Sequence, residues 1–178
     1  MSLRRLGHRR LASGVFLHFD HRYLIDGNRA AARDVVLHPG GVGVLPIEGE
    51  QIWLVSQYRT AVEVDLLEIP AGKLDPSDRD PLIAGKRELA EEVGATAGSW
   101  TFLTSFYPSP GFTNEILHVY AATDLTFGER KPEGAEETHS TVVSCRLDEA
   151  LDRIETGEIV DSKTQIALLL WDRKRRER

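Results

Sequence analysis

Cysteine is nearly absent. Cys145 stands alone, which rules out an intramolecular disulfide framework and a cysteine zinc site, and a reducing, cytoplasmic setting is expected. No apolar stretch is long enough to span a bilayer, and the opening residues, MSLRRLGHRRLASGVFLHF, lack the uninterrupted apolar core of a secretory signal, so a soluble chain without a membrane partner is expected. Positive charge is also short: 22 Lys and Arg stand against 28 Asp and Glu, a formal net charge of -6, which argues against a chain that wraps nucleic acid. Only the ends are locally basic, Arg4 to Arg10 and Arg173 to Arg178, and both read as solvated, partly mobile termini. There is no Walker-type phosphate loop, no Gly-x-Ser-x-Gly elbow and no internal repeat. His18 and His21 lie three apart on a predicted strand, face opposite sides and make no zinc pair.

What remains is enough for one well-buried domain: 178 residues, 41% of them hydrophobic. Gly14 to Val36 alternates short apolar runs around the turn signal Asp26 to Asn28 and predicts a pair of strands, an arm over residues 1–40 ahead of a main domain over 41–178. Val42 to Ile47 and Ile52 to Arg59, joined by the polar turn Glu48 to Gln51, predict a β-hairpin, and Val64 to Pro70 a third short strand. A helix is predicted over Pro81 to Val93, because Asp80 is a good N-cap, Pro81 fits the first helical position and Gly94 is a stop; Leu82, Leu89 and Val93 should face the core. Strands follow over Thr101 to Tyr107, Glu115 to Thr123 and Thr141 to Arg146, then helices over Leu147 to Gly157 and Asp161 to Arg176. The class is mixed α/β (α+β), without regular βαβ alternation.

The chemistry concentrates in RELAEE. On a helix Glu88, Glu91 and Glu92 share a side within about a turn and repel one another by a few tenths of a kcal/mol per pair. Either the face is simply solvated, or a divalent cation such as Mg²⁺ or Mn²⁺ offsets the repulsion, since both take several oxygen ligands and tolerate water.

The run from Glu68 to Ala95, EIPAGKLDPSDRDPLIAGKRELAEEVGA, resembles the Nudix box: Gly72 matches its opening glycine, and Arg87, Glu88, Leu89, Glu91, Glu92, Gly94 and Ala95 match its closing run. The stretch from Gly72 to Arg87 is one residue longer than usual and lacks the internal glutamate; Asp78 stands there counting forward and Arg79 counting back. The resemblance implies an α/β/α sandwich around a mixed sheet, with the N-terminal β arm beside it. It implies Glu88 and Glu92 as principal metal ligands, with Glu91 sharing a metal or assisting the attacking water. The carbonyl of Ala71 would be a further ligand, and Arg87 would orient the glutamates through a bidentate ion pair.

Features outside the box are similar to the ADP-ribose pyrophosphatase branch: Gln57 to Arg59, Leu67 to Gly72, Ser109 to Glu115 with Pro110, and Gly157 to Thr164. That likeness implies hydrolysis of ADP-ribose, or a related nucleotide sugar, to AMP and ribose 5-phosphate. Arg59 would hold a phosphate and Glu68 a sugar hydroxyl, with Gly72, Pro110 and Phe112 completing the substrate contacts. The base would be Glu136 or Glu137 on the charged loop Gly128 to His139, and the arm would exchange strands across a homodimer. Rival readings are another nucleotide sugar, NADH, or an ADP-ribose sensor, against which the intact Glu88, Glu91 and Glu92 count.

Overall fold

A computed structural model describes residues 3–132 and 135–177, apart from the side chains of Ala135 and Glu136. The chain forms two compact units, one comprising the residues up to Gly40 with Tyr107–Ile116, the other Gly41–Phe106 with the residues from Leu117 onward.

In the first unit β1 (Arg4–Ser13), β2 (His18–Asp26) and β3 (Arg29–Leu37) form an antiparallel sheet in that order. The turn between β2 and β3 places Gly27 at φ 61°, a left-handed conformation that glycine enters without steric cost. The sheet has three strands, not the expected two, because Arg4 to Arg10 extends as β1. Burial explains this: Arg10 donates through Nε to Asp20, which is only 1% exposed, so one arginine of the basic stretch is tied to an interior carboxylate. The Tyr107–Ile116 segment joins the unit through the N–H of Val36, donated to the Phe112 carbonyl at 2.8 Å, and the N–H of Asn114, donated to the Val36 carbonyl at 3.3 Å.

The second unit is built on a mixed sheet ordered β10-β5-β4-β9-β8, from β4 (Gly41–Glu48), β5 (Gln51–Arg59), β8 (Ala95–Phe106), β9 (Leu117–Phe127) and β10 (Thr141–Arg146). β4 and β9 run parallel and the other pairs antiparallel. β4 is buried along nearly its whole length, as a central strand covered on both faces must be, and its residues alternate between two cores. Leu45 and Ile47 join Ile69, Leu147, Ile159 and Leu168 under α3 (Leu147–Glu155) and α4 (Ser162–Arg176). Val44 joins Val55, Leu89, Val93 and Ala122 under α1 (Pro81–Glu88). This is the expected sandwich, with helices on both faces of the sheet.

The predicted hairpin is real but barely paired. β4 and β5 share only the rungs Ile47–Ile52 and Glu48–Gln51 before they part. Beyond the split β5 takes β6 (Val64–Glu68) and β4 takes β7 (Ala71–Lys73), so residues 68 to 71 cross from one side of the opening to the other. The C-terminal basic run is likewise not a loose tail through its length. α4 continues to Arg176, and Arg175 pairs with Glu50, Asp148 and Asp172.

Candidate active site

The carboxylates sit on α1 and on its continuation, a π-helical turn over Leu89–Val93. Asp80 caps the helix by accepting the Leu82 N–H at 2.9 Å, and Gly94 ends it at φ 74°. Leu89 is fully buried and Val93 nearly so, as expected, whereas Leu82 is only half-buried. The side facing the sheet also includes Glu88 and Glu92, at 4% and 2% exposure. Two ionisable acids therefore occupy positions where apolar side chains would be the ordinary choice.

Their environment is costly for negative charge. Burial, with further repulsion from Glu91 and Glu137, pushes the Glu88 carboxyl up to about 7; burial, with repulsion from Glu88 and Glu137, pushes Glu92 up to about 8. Arg87 offsets part of this through Nη1, which donates to Glu88 Oε1 at 2.7 Å and Glu91 Oε2 at 3.2 Å. One nitrogen thus bridges two glutamates, in place of the expected two-pronged pair with one. Glu92 accepts the backbone N–H of Ala71 at 2.9 Å. Gly72 lies so close to Glu88 that a Cβ would overlap its carboxylate, a physical reason for glycine there.

The extra residue between Gly72 and Arg87 is absorbed in a turn: the Asp78 N–H donates to the Asp75 carbonyl at 2.9 Å, and the Asp75 N–H donates to Asp78 Oδ2 at 2.8 Å. Asp78 faces Arg87 at 3.9 Å, so it is Asp78, and not the exposed Arg79, that lies toward the site.

Across the sheet split, Arg59 and Glu68 form a two-pronged pair, Nε to Oε1 at 2.7 Å and Nη2 to Oε2 at 2.6 Å. Glu68 Oε2 also accepts from Lys163, which reaches Asp161 at 3.0 Å. Burial works to raise the pKa of Glu68, but Arg59 and Lys163 outweigh it and hold the group below the usual value. Both oxygens of Glu68 accept hydrogen bonds within the protein, which makes the carboxylate a support for Arg59. Lys163 was missed from sequence, although a lysine in the first turn of a helix, where the dipole disfavours it, is a signal for a buried acid partner. Thr164 Oγ1 accepts the Ile69 N–H at 2.8 Å and ties the same helix to the crossing segment.

Glu137 lies on a five-residue helix, α2 (Ala135–His139), within the expected loop Gly128 to His139, and its charge adds to the repulsion on Glu88 and Glu92. The side chain of Glu136 lies outside the described residues. Pro110 and Phe112 belong to the first unit, where Ser109 to Thr113 forms a turn.

Among the described residues no three His, Cys, Asp or Glu side chains form a ready cation cage. The donor set still fits a hard cation, because Mg²⁺ commonly takes only one or two protein carboxylates and completes its shell with water and substrate phosphate. Such an ion would relieve the repulsion between two buried glutamates.

The family model for the NUDIX domain matches residues 37–165. The chain belongs to the Nudix family. It is 41% identical over 145 residues to a Bacillus subtilis (strain 168) protein named ADP-ribose pyrophosphatase, covering 81% of this chain and 78% of that one. It is 40% identical over 145 residues to a Bacillus methanolicus protein named methanol dehydrogenase activator, with the same coverage of 81% and 78%. A crystal structure titled as that of an ADP compounds hydrolase shares the fold, with a TM-score of 0.86 at 23% identity, covering 99% of this chain and 96% of that one. The Nudix box of this chain is therefore the stretch that runs from Gly72, against Glu88, through the left-handed Gly94 to Ala95.

Proposed function

We propose that this Nudix chain hydrolyses the diphosphate of ADP-ribose in a reaction that depends on a divalent cation. The observation that carries the reading is a pair of buried acids on the box helix, Glu88 held by Arg87 and Glu92 held by the Ala71 N–H. Water attacks one phosphorus and a P–O bond forms; the bridging P–O bond breaks, leaving AMP and ribose 5-phosphate with one phosphate each. A bound Mg²⁺ or Mn²⁺ would neutralise the diphosphate and lower the pKa of water. Glu88 and Glu92 are its principal ligands in this proposal, with Glu91 and the Ala71 carbonyl as further oxygens. Glu137 takes the proton from the attacking water. Arg87 orients Glu88 and Glu91, and Arg59, held by Glu68, presents Nη1 to a phosphate.

The choice of ADP-ribose rests on the name of the Bacillus subtilis relative. Glu68, toward a sugar hydroxyl, and Gly72, Pro110 and Phe112 remain proposed substrate contacts. A homodimer built on the N-terminal strands is also proposed, supported by the apolar side chains that unit leaves exposed, including Leu3, Leu6, Val15 and Phe16. A cytoplasmic location is proposed from the single, free Cys145; among the described residues no helix is long and apolar enough to cross a membrane. The test of substrate is kcat/KM on ADP-ribose beside ADP-glucose, GDP-mannose and NADH. A preference for ADP-ribose supports the proposal, a preference for another substrate reassigns it within the family, and tight ADP-ribose binding without turnover indicates a sensor.

A further inference from the structure

Glu137 sits on a helix too short to hold its own direction, since isolated helices of five residues are unstable in water. Something outside the helix must therefore aim it. Its own carbonyl is one point of attachment: it accepts the Arg130 Nη2–H at 2.9 Å, the Ser140 N–H at 3.1 Å and the Ser140 hydroxyl at 2.8 Å. Arg130 also donates through Nη1 to the Ser140 carbonyl at 2.7 Å and through Nη2 to the Ser140 hydroxyl. Ser140 is buried, at 5% exposure. A planar guanidinium thus closes the C-terminal end of α2 with a fork that a lysine ammonium cannot reproduce.

The other end of this clamp is anchored on the Nudix box. The Gly128 N–H donates to the Gly94 carbonyl at 2.7 Å, and a Cβ at Gly94 would lie 2.9 Å from the Arg130 nitrogen and 3.0 Å from the Gly128 carbonyl oxygen. The backbone of Arg130 is therefore pressed against the residue that terminates the carboxylate helix, while its side chain grips the base-bearing turn.

Resting on the proposed role of Glu137 as base, we propose that Arg130 is a positioning residue, a clamp that sets Glu137 relative to Glu88 and Glu92 by linking α2 to the end of the box. Arg130 touches neither substrate nor cation in this role. Its removal should lower kcat and leave KM and cation affinity nearly unchanged, because ground-state binding residues are untouched.

The test is a double-mutant cycle with ADP-ribose and Mg²⁺, using Arg130→Met, Glu137→Gln and the combination. Loss of a general base costs about a hundredfold or more in kcat, and Arg130→Met should cost roughly tenfold or more of the same effect. In the Glu137→Gln background Arg130→Met should then cost little further, because the group it aims is gone. Should Arg130→Met fail to fold by circular dichroism, Arg130→Lys serves in its place, with a smaller drop in kcat and the same non-additivity. Full multiplicative losses, an effect confined to KM, or an unchanged kcat would overturn the clamp. An unchanged kcat in Glu137→Gln alone would instead remove the base assignment on which the clamp rests, and a wild type inert toward ADP-ribose would remove the proposed function itself.

Discussion

Glu92 is the residue on which charge, burial and chemistry meet most sharply. The unfolded chain ionises its glutamates near the ordinary value of 4.5, whereas the folded protein holds Glu88 to about 7 and Glu92 to about 8. Between those values the unfolded state binds fewer protons, so the cation-free protein loses stability as pH rises through the window and levels off above it. A cation held as proposed by these carboxylates would bind only their ionised form and reverse the loss. In chelator, wild type should therefore lose thermal stability between about pH 5 and pH 8 more steeply than Glu92→Gln, and added Mg²⁺ should raise the wild-type Tm more at the higher pH. Parallel Tm profiles for the two proteins would contradict this account. That Glu88, Glu91 and Glu92 gather within about a turn of one helix was legible from the spacing in RELAEE. That Glu88 and Glu92 are buried beside the sheet was not, because the spacing that gathers charge on one side does not say which side meets the core.

At the scale of elements, local chemistry declared the ends of the box helix, through Asp80, Pro81 and Gly94. The π-helical turn over Leu89–Val93 has no such local signature, because the same residues fit an ordinary helix. The three-residue β7 and the five-residue α2 were missed for a related reason: neither is long enough to show a period. Glu68 illustrates the remaining limit. It reads as an acid at a strand end, yet its partner Lys163 is 95 residues away, and only the sheet split and the start of α4 bring them together. Replacing Lys163 with Met leaves a buried carboxylate with one cation in place of two. The variant should lose about 1–3 kcal/mol in a urea melt and raise KM more than it lowers kcat, because Arg59 is less firmly held. Unchanged stability and KM would show that Arg59 alone satisfies Glu68.

Over the whole molecule, the mixed sheet and flanking helices followed from the order of strands and helices and from the resemblance to the Nudix pattern, and the shared fold bears them out. The N-terminal unit was less legible. Its arginine-rich first strand looks like a solvated tail until the buried Asp20 is seen to hold Arg10. The proposed dimer predicts a light-scattering mass of twice the 19.9 kDa of one chain, falling toward one chain when Leu6 and Phe16, both exposed, are changed to Glu. A wild-type mass of one chain would remove the dimer from the account.

The proposed cation-dependent cleavage of a diphosphate is driven by buried carboxylates of the box. It is tested most directly by AMP release from ADP-ribose by wild type and Glu92→Gln, each with Mg²⁺ and with chelator. Wild type should release AMP and ribose 5-phosphate in equal amounts with Mg²⁺ alone, and the variant should lose about a hundredfold or more of that rate. Cleavage that persists in chelator, or that survives Glu92→Gln at the wild-type rate, would contradict the proposal.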